Sequence, residues 1–223
     1  MVTLTAAECR VLGTLIEKAQ TTPGQYPLSI NALTIGCNQK NNRDPVTNYS
    51  EETVYEAIDG LRAKQLVREV MLSGSRVSKF RHVARETFQV SSEELVLLAE
   101  LWLRGPQPAG ELRSHASRMH PLDSLESVQA TLDGLAGRPE PYVRQVPTRP
   151  GERAPRYIQL FCPALSHDSE HSRSEIAKDS PNNQSESDIT ERIARLEREL
   201  IEVKNAVDRL CAALGEVAER PNN

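Results

Sequence analysis

The sequence predicts a mainly α-helical protein with small β-hairpins: two tandem domains, a linker and a C-terminal coiled-coil helix. Three observations predict this fold class. Apolar residues recur at helical spacing, one order of helices and strands occurs in residues 1–86 and again in 87–162, and residues 188–220 carry an unbroken heptad repeat. Only 4% of the 223 residues are aromatic, which suits small helical domains.

The first domain, residues 1–86, begins with a capping-box pattern at Thr5 and Glu8. A helix with one apolar face follows, and serine N-caps predict a second and a third helix. Segments 66–70 and 79–83 have strand character and are separated by a serine–glycine turn, which predicts a β-hairpin. The apolar faces of the first and third helices consist of Leu12, Leu15, Ile16 and Ala19, and of Val54, Ile58 and Leu61.

The second domain, residues 87–162, repeats the first. Ser91 and Glu94 form a second capping box, Asp123 or Ser124 caps a further helix, and segments 142–146 and 156–160 read as strands. Three helices closed by a β-hairpin form the winged-helix variant of the helix-turn-helix, so the sequence predicts two tandem winged-helix domains. The matching apolar residues are Leu98, Leu101 and Trp102, and Val128, Leu132 and Leu135.

The chain after residue 162 changes character twice. Residues 163–187 are rich in serine and charge and are too polar to bury a core, so we predict a disordered linker. The heptad repeat that follows favours a parallel homodimer, and the alternative is a single amphipathic helix that folds back onto its own domains. The predicted oligomerisation residues are Ile193, Leu196, Leu200, Val203, Val207, Leu210 and Leu214.

Three stretches of the two domains read YPLSINAL (26–33), GCNQKNNRDPV (36–46) and LRGPQPAGELRS (103–114). They resemble the YceH-like family of uncharacterised bacterial proteins. The resemblance covers about residues 3–161 and implies two winged-helix domains and a helical C-terminus. It implies no activity, because the family is itself uncharacterised.

Composition and motifs favour a cytoplasmic protein that is not an enzyme. The four cysteines are far apart, which indicates reduced thiols, and neither a signal peptide nor a membrane-spanning apolar run is present. No phosphate-binding glycine loop, zinc motif or nucleophile elbow occurs, so we expect no catalytic residue, cofactor or metal. Cys9 and Cys37 lie on predicted apolar faces, where thiols are inert.

Charge is unevenly distributed, and its pattern leads to two hypotheses. Net charge is −4, and both third helices carry acids without cations, which opposes groove reading by these helices. Cations and amides instead lie in the hairpins and in the polar run 38–45, and they suit phosphates and base edges. The first hypothesis is binding of double-stranded DNA through hairpins and loop, and the alternative is a dimeric adaptor for a protein partner. The candidate contact residues are Asn38, Gln39, Lys40, Asn41, Asn42, Arg43, Arg76, Lys79, Arg81, Arg149, Arg153 and Arg156.

A structural role is the alternative for these residues. The hairpin arginines are then ordinary solvated side chains, and the amides of the run 38–45 cap the two helices that flank it.

Overall fold

The structure, a computed structural model, describes residues 2–71, 77–148 and 154–163. The described residues are mainly helical, with seven helices and two small antiparallel sheets, as the sequence predicts. The first half contains α1 (Ala6–Thr21), β1 (Leu28–Ser29), α2 (Ile30–Asn38), α3 (Glu51–Ala63), β2 (Val67–Val70) and β3 (Lys79–His82). After α4 (Ala84–Phe88), the second half contains α5 (Ser92–Arg104), β4 (Gln107–Pro108), α6 (Ala109–Ala116), α7 (Leu125–Ala136), β5 (Val143–Val146) and β6 (Arg156–Gln159).

The helices begin where the sequence places their caps. The Thr5 amide donates to Glu8 Oε2 at 2.7 Å, and the Glu8 amide donates to Thr5 Oγ1 at 3.1 Å. The same reciprocal pair between Ser91 and Glu94 starts α5. Each capping box satisfies two backbone donors that the first helical turn leaves open. Serine side chains cap α2, α3 and α7 in the same way: Ser29, Ser50 and Ser124.

Each half carries a three-stranded sheet in which the predicted hairpin is extended by a short strand. The strand orders are β1-β3-β2 and β4-β6-β5, with Leu28 opposite Phe80 and Gln107 opposite Tyr157. The predicted hairpin strands agree with the observed ones within one or two residues at each end. Strands β1 and β4 were not predicted, because two residues are too few to show an alternating pattern.

Helices α1 and α5 pack against each other at the centre of the described residues. Both are buried on almost every side, as expected of helices enclosed by other elements. The apolar faces predicted in the two halves therefore contribute to one hydrophobic cluster. The described residues all belong to one compact unit, and the division at residue 86 stays a prediction. The predicted coiled-coil helix and all of the linker after residue 163 lie outside the described residues.

Four aromatic rings pack together in the core, where the segment after β6 meets the segment before α1. Phe161 packs against Phe88, Trp102 and Tyr142, with ring centroids 4.9–5.3 Å apart. The Leu4 amide donates to the Phe161 carbonyl oxygen at 2.8 Å. This hydrogen bond joins the segment before α1 to the segment after β6.

Candidate anion-binding cleft

The polar loop that follows α2 is folded by its own carboxamides. Asn38 Oδ1 accepts from the Tyr49 amide at 2.8 Å, and Asn38 Nδ2 donates to the Tyr49 carbonyl at 2.8 Å. Gln39 accepts from Lys18 Nζ at 3.0 Å and donates to the Asn41 carbonyl at 2.8 Å. Two of the predicted contact residues, Asn38 and Gln39, therefore brace the loop.

Arg43 turns inward, contrary to its predicted position on a contact surface. Asn42 has a φ of 59°, in the left-handed region that asparagine tolerates, and this turn directs the next side chain towards α1. Arg43 is only 5% exposed, and its Nη1 and Nη2 lie 3.2 and 2.5 Å from the two carboxylate oxygens of Glu17. Nη2 also donates to the Gly36 carbonyl at 2.8 Å. A buried carboxylate needs such a partner, so Arg43 is a structural residue.

The Glu17–Arg43 pair extends into the second half as a network of two carboxylates and three guanidinium groups, and the Lys18 ammonium lies 3.8 Å from Glu17 at its edge. Arg118 donates to both Glu17 and Glu100, the latter at 2.9 Å. Glu100 is fully buried and lies 3.1 Å from Arg104 Nε. Burial raises the pKa of Glu17, but the hydrogen bonds and charges of Arg43 and Arg118 outweigh it and hold that pKa below its ordinary value. Arg118 of the second half therefore links the carboxylates of α1 and α5.

The loop is also tied directly to α5. The Asp44 amide donates to the Leu103 carbonyl at 2.9 Å. Asn42 Oδ1 accepts from Arg104 Nη2 at 2.6 Å. The loop between α2 and α3 is longer than its counterpart between α6 and α7. It is hydrogen-bonded to α5 of the second half, and this contact is a structural reason for its polar composition.

A hydrogen-bonded chain holds Arg104 from the other side. Gln107 Oε1, which can only accept, lies 2.7 Å from His115 Nδ1, so Nδ1 carries the proton. His115 Nε2 is then free to accept from Arg104 Nη1 at 3.2 Å. Asn42, His115 and Glu100 together fix the position of the Arg104 guanidinium.

These residues line an open, polar cleft of about 650 Å³. The loop contributes three predicted contact residues besides Arg43, and strand β6 contributes a fourth. The second half contributes Arg104, Gln107 and His115, which were not predicted as site residues, although segment 103–114 carries the family resemblance. Two carboxylates, Asp44 and Glu111, also line the cleft. The predicted residues that meet here are Lys40, Asn41, Asn42 and Arg156.

The cations of the first hairpin lie elsewhere. Arg81 is exposed and lines a separate cleft of about 500 Å³ together with Tyr26, His82 and Arg85. Burial lowers the pKa of His82 to about 4 and raises that of Tyr26 to about 12. Lys79 lies on β3 opposite Ser29 and Val70. The remaining predicted residues lie outside the described ranges: Arg76, Arg149, Arg153, Ile193, Leu196, Leu200, Val203, Val207, Leu210 and Leu214.

The buried thiols are poor nucleophiles. Cys9, Cys37 and Cys162 are buried thiols that belong to no disulfide. Burial raises the pKa of Cys37 to about 11, and burial together with the neighbouring Cys162 raises that of Cys9 well above its ordinary value. Within residues 2–71, 77–148 and 154–163 there is no group of three or more potential metal ligands, and no helix in these ranges has the length and apolarity of a membrane span.

The fold and the cleft define a mainly helical protein with two repeated halves and a cation-bearing cleft. The chain belongs to the family described as "Protein of unknown function, DUF480", which matches residues 4–152. The resemblance to YceH-like proteins is thereby confirmed.

The similarity to other proteins extends over most of the chain. A UPF0502 protein of Citrifermentans bemidjiense is 48% identical over 89% of this chain and 88% of its own length. The UPF0502 protein YceH of Salmonella paratyphi A is 42% identical over 96% of this chain and 98% of its own. The UPF0502 protein Shewana3_1622 of a Shewanella species is 40% identical over 95% and 99%. None of these names states an activity.

Proposed function

We propose that this is a cytoplasmic, non-enzymatic protein of two tandem winged-helix domains that binds double-stranded DNA. Each half places three helices before a β-hairpin, and the short strand before the second helix pairs with that hairpin. This order of elements is the one a winged helix requires. The fold alone does not specify a ligand, because one fold can host many unrelated functions.

The third helix of the first half, α3, is unsuited to a DNA groove. Glu51, Glu52, Glu56 and Asp59 are all exposed on α3, and the exposed cation Arg62 is paired with Asp59 at 3.1 Å. Phosphates are repelled by such a surface. The proposed binding mode therefore uses the loop and the second hairpin.

The observation that carries the proposal is the meeting of loop and hairpin in one cleft. Lys40 and Asn41 from the loop line the same cleft as Arg156 from β6. Lys40 is exposed, and its ammonium has no hydrogen-bond or ion-pair partner among the described residues. Cations from two elements and nearby amides are the groups that bind DNA phosphates and base edges.

Fluorescence anisotropy with a labelled random duplex at low salt tests this proposal. We expect binding that weakens with salt, with a log–log slope of about −0.9 for each phosphate contact. The double variant Lys40→Gln/Arg156→Gln should bind more weakly and with a shallower slope. Arg62→Gln, which removes an exposed charge on the acidic helix, is the matched control and should bind like the unmodified chain. Absence of binding at low salt would refute the proposal.

The absence of catalysis is part of the proposal. It is supported by the lack of catalytic motifs in the sequence and by the raised pKa values of the buried thiols. A hydrolase screen with generic ester and phosphoester substrates, in which the purified chain showed saturable turnover, would contradict it.

A dimeric adaptor is the second candidate, and two exposed apolar side chains favour it. Ile35 on α2 is 65% exposed, and Tyr55, which lies among the exposed acids of α3, is 49% exposed. Exposed apolar side chains next to a charged rim are typical of protein interfaces. We further propose homodimerisation through residues 188–220. Light scattering of the full chain against a chain that ends at Ser187 tests it, and equal monomeric masses would refute it.

A further inference from the structure

The buried ionic network contains more positive than negative charge. Three guanidinium groups, from Arg43, Arg104 and Arg118, share two carboxylates, from Glu17 and Glu100. Each carboxylate lies in the interior, whereas Arg104 and Arg118 are about one quarter exposed. An uncompensated charge at the edge of a low-dielectric region interacts strongly with an anion placed beside it. The network therefore favours an anion at its exposed edge.

Arg104 is the member of this network that reaches the cleft with donors to spare. Its two terminal nitrogens each spend a hydrogen bond, one on Asn42 and one on His115, while its Nε lies 3.1 Å from the Glu100 carboxylate as an ion pair. The second N–H of each terminal nitrogen has no hydrogen bond to any other residue within the part of the chain that the structure describes. A guanidinium held on three sides loses little conformational entropy when it binds an oxyanion.

We propose that this cleft binds the phosphate group of a small phosphorylated ligand. Arg104, Arg156 and Lys40 come from three different elements and line the cleft together, so they suit a tetrahedral phosphate better than a planar carboxylate. A volume of about 650 Å³ lies in the range of small-molecule sites and leaves room for a group attached to the phosphate. This inference goes beyond DNA binding and does not depend on it.

The carboxylates that line the cleft restrict the chemical class of the ligand. Asp44 and Glu111 are both exposed and line the same cleft as the cations. They repel a second phosphate and accept hydrogen bonds from hydroxyl groups. The ligand is therefore a phosphomonoester that carries hydroxyl groups, such as a sugar phosphate, rather than a polyphosphate.

Titration of the ¹⁵N-labelled full chain followed by NMR tests this inference. Inorganic phosphate and ribose 5-phosphate should shift the same backbone resonances saturably, ribose 5-phosphate with the higher affinity, and ribose alone should shift none. Arg156→Gln should weaken binding of ribose 5-phosphate by about tenfold or more, the typical effect of losing a charge-assisted hydrogen bond. Arg62→Gln should leave the affinity unchanged. If Arg156→Gln does not fold, Lys40→Gln at an exposed side chain provides the same test.

Three outcomes would overturn the inference: no saturable shift with ribose 5-phosphate, shifts confined to residues remote from the cleft, or unchanged affinity in both cleft variants. Parallel anisotropy measurements with duplex DNA separate the two proposals. Duplex binding without ribose 5-phosphate binding would refute this inference alone, whereas the reverse result would refute DNA binding alone.

Discussion

Replacement of Arg43 by alanine tests whether the polar loop is a structural joint. The substitution removes two hydrogen bonds to the buried Glu17 carboxylate and those to the Gly36 carbonyl. Loss of one partner from a buried ion pair costs about 3–5 kcal/mol. Arg118 still donates to Glu17, so we expect about 3 kcal/mol, at the lower end of that range.

Urea denaturation followed by circular dichroism measures this loss. Lys40→Ala is the matched control three residues away, because its exposed side chain should contribute within about 0.5 kcal/mol. A chain with Glu17→Leu and Arg43→Met removes both charges and should recover much of the lost stability, since buried ion pairs are often replaceable by apolar residues of similar size. Equal stabilities of Arg43→Ala and Lys40→Ala would refute the interpretation of the loop.

Two further predictions concern the pH dependence of stability and two helical glycines, Gly60 on α3 and Gly134 on α7. Burial lowers the pKa of His82 to about 4, so this imidazole binds a proton more tightly in the unfolded chain than in the folded one. The free energy of unfolding should therefore fall by up to about 3 kcal/mol as the pH drops from 6.5 to 4. His82→Phe should lack this part of the slope in urea titrations at several pH values, and an unchanged slope would exclude His82 as its source. An alanine Cβ at Gly60 would lie 2.2 Å from Glu8 Oε1, whereas at Gly134 in the second half it meets nothing within 4 Å. Thermal denaturation should therefore show a loss of about 1–3 kcal/mol for Gly60→Ala and a gain of about 0.5–1 kcal/mol for Gly134→Ala, and equal effects would contradict the packing described here.

Local features of the fold were predictable because they depend on residues close in sequence. The capping boxes at Thr5 and Ser91 need only a side chain and an amide three residues apart. The repeat of apolar positions indicated equivalent helices in the two halves without any knowledge of their packing. Strands β1 and β4 were not predicted because they form their hydrogen bonds with β3 and β6, which lie more than forty residues later in the chain.

The candidate site was predicted in part, for the same physical reason. Lys40 and Arg156 were singled out by charge alone, and the structure brings them into one cleft. Arg43 was misassigned because a buried arginine and an exposed one look alike in a sequence until the buried Glu17 is known. Arg104 and His115 were missed because their significance depends on contacts with Asn42 and Gln107, which the fold alone creates.

The hydrogen bond between Leu4 and Phe161 has a practical consequence for the design of experiments. It places Leu4, which precedes the first helix, beside Phe161, which follows the last strand, on one compact unit. A fluorophore attached beside Leu4 therefore lies close to Phe161. A label for measuring assembly belongs instead on an exposed side chain such as Glu52 on α3.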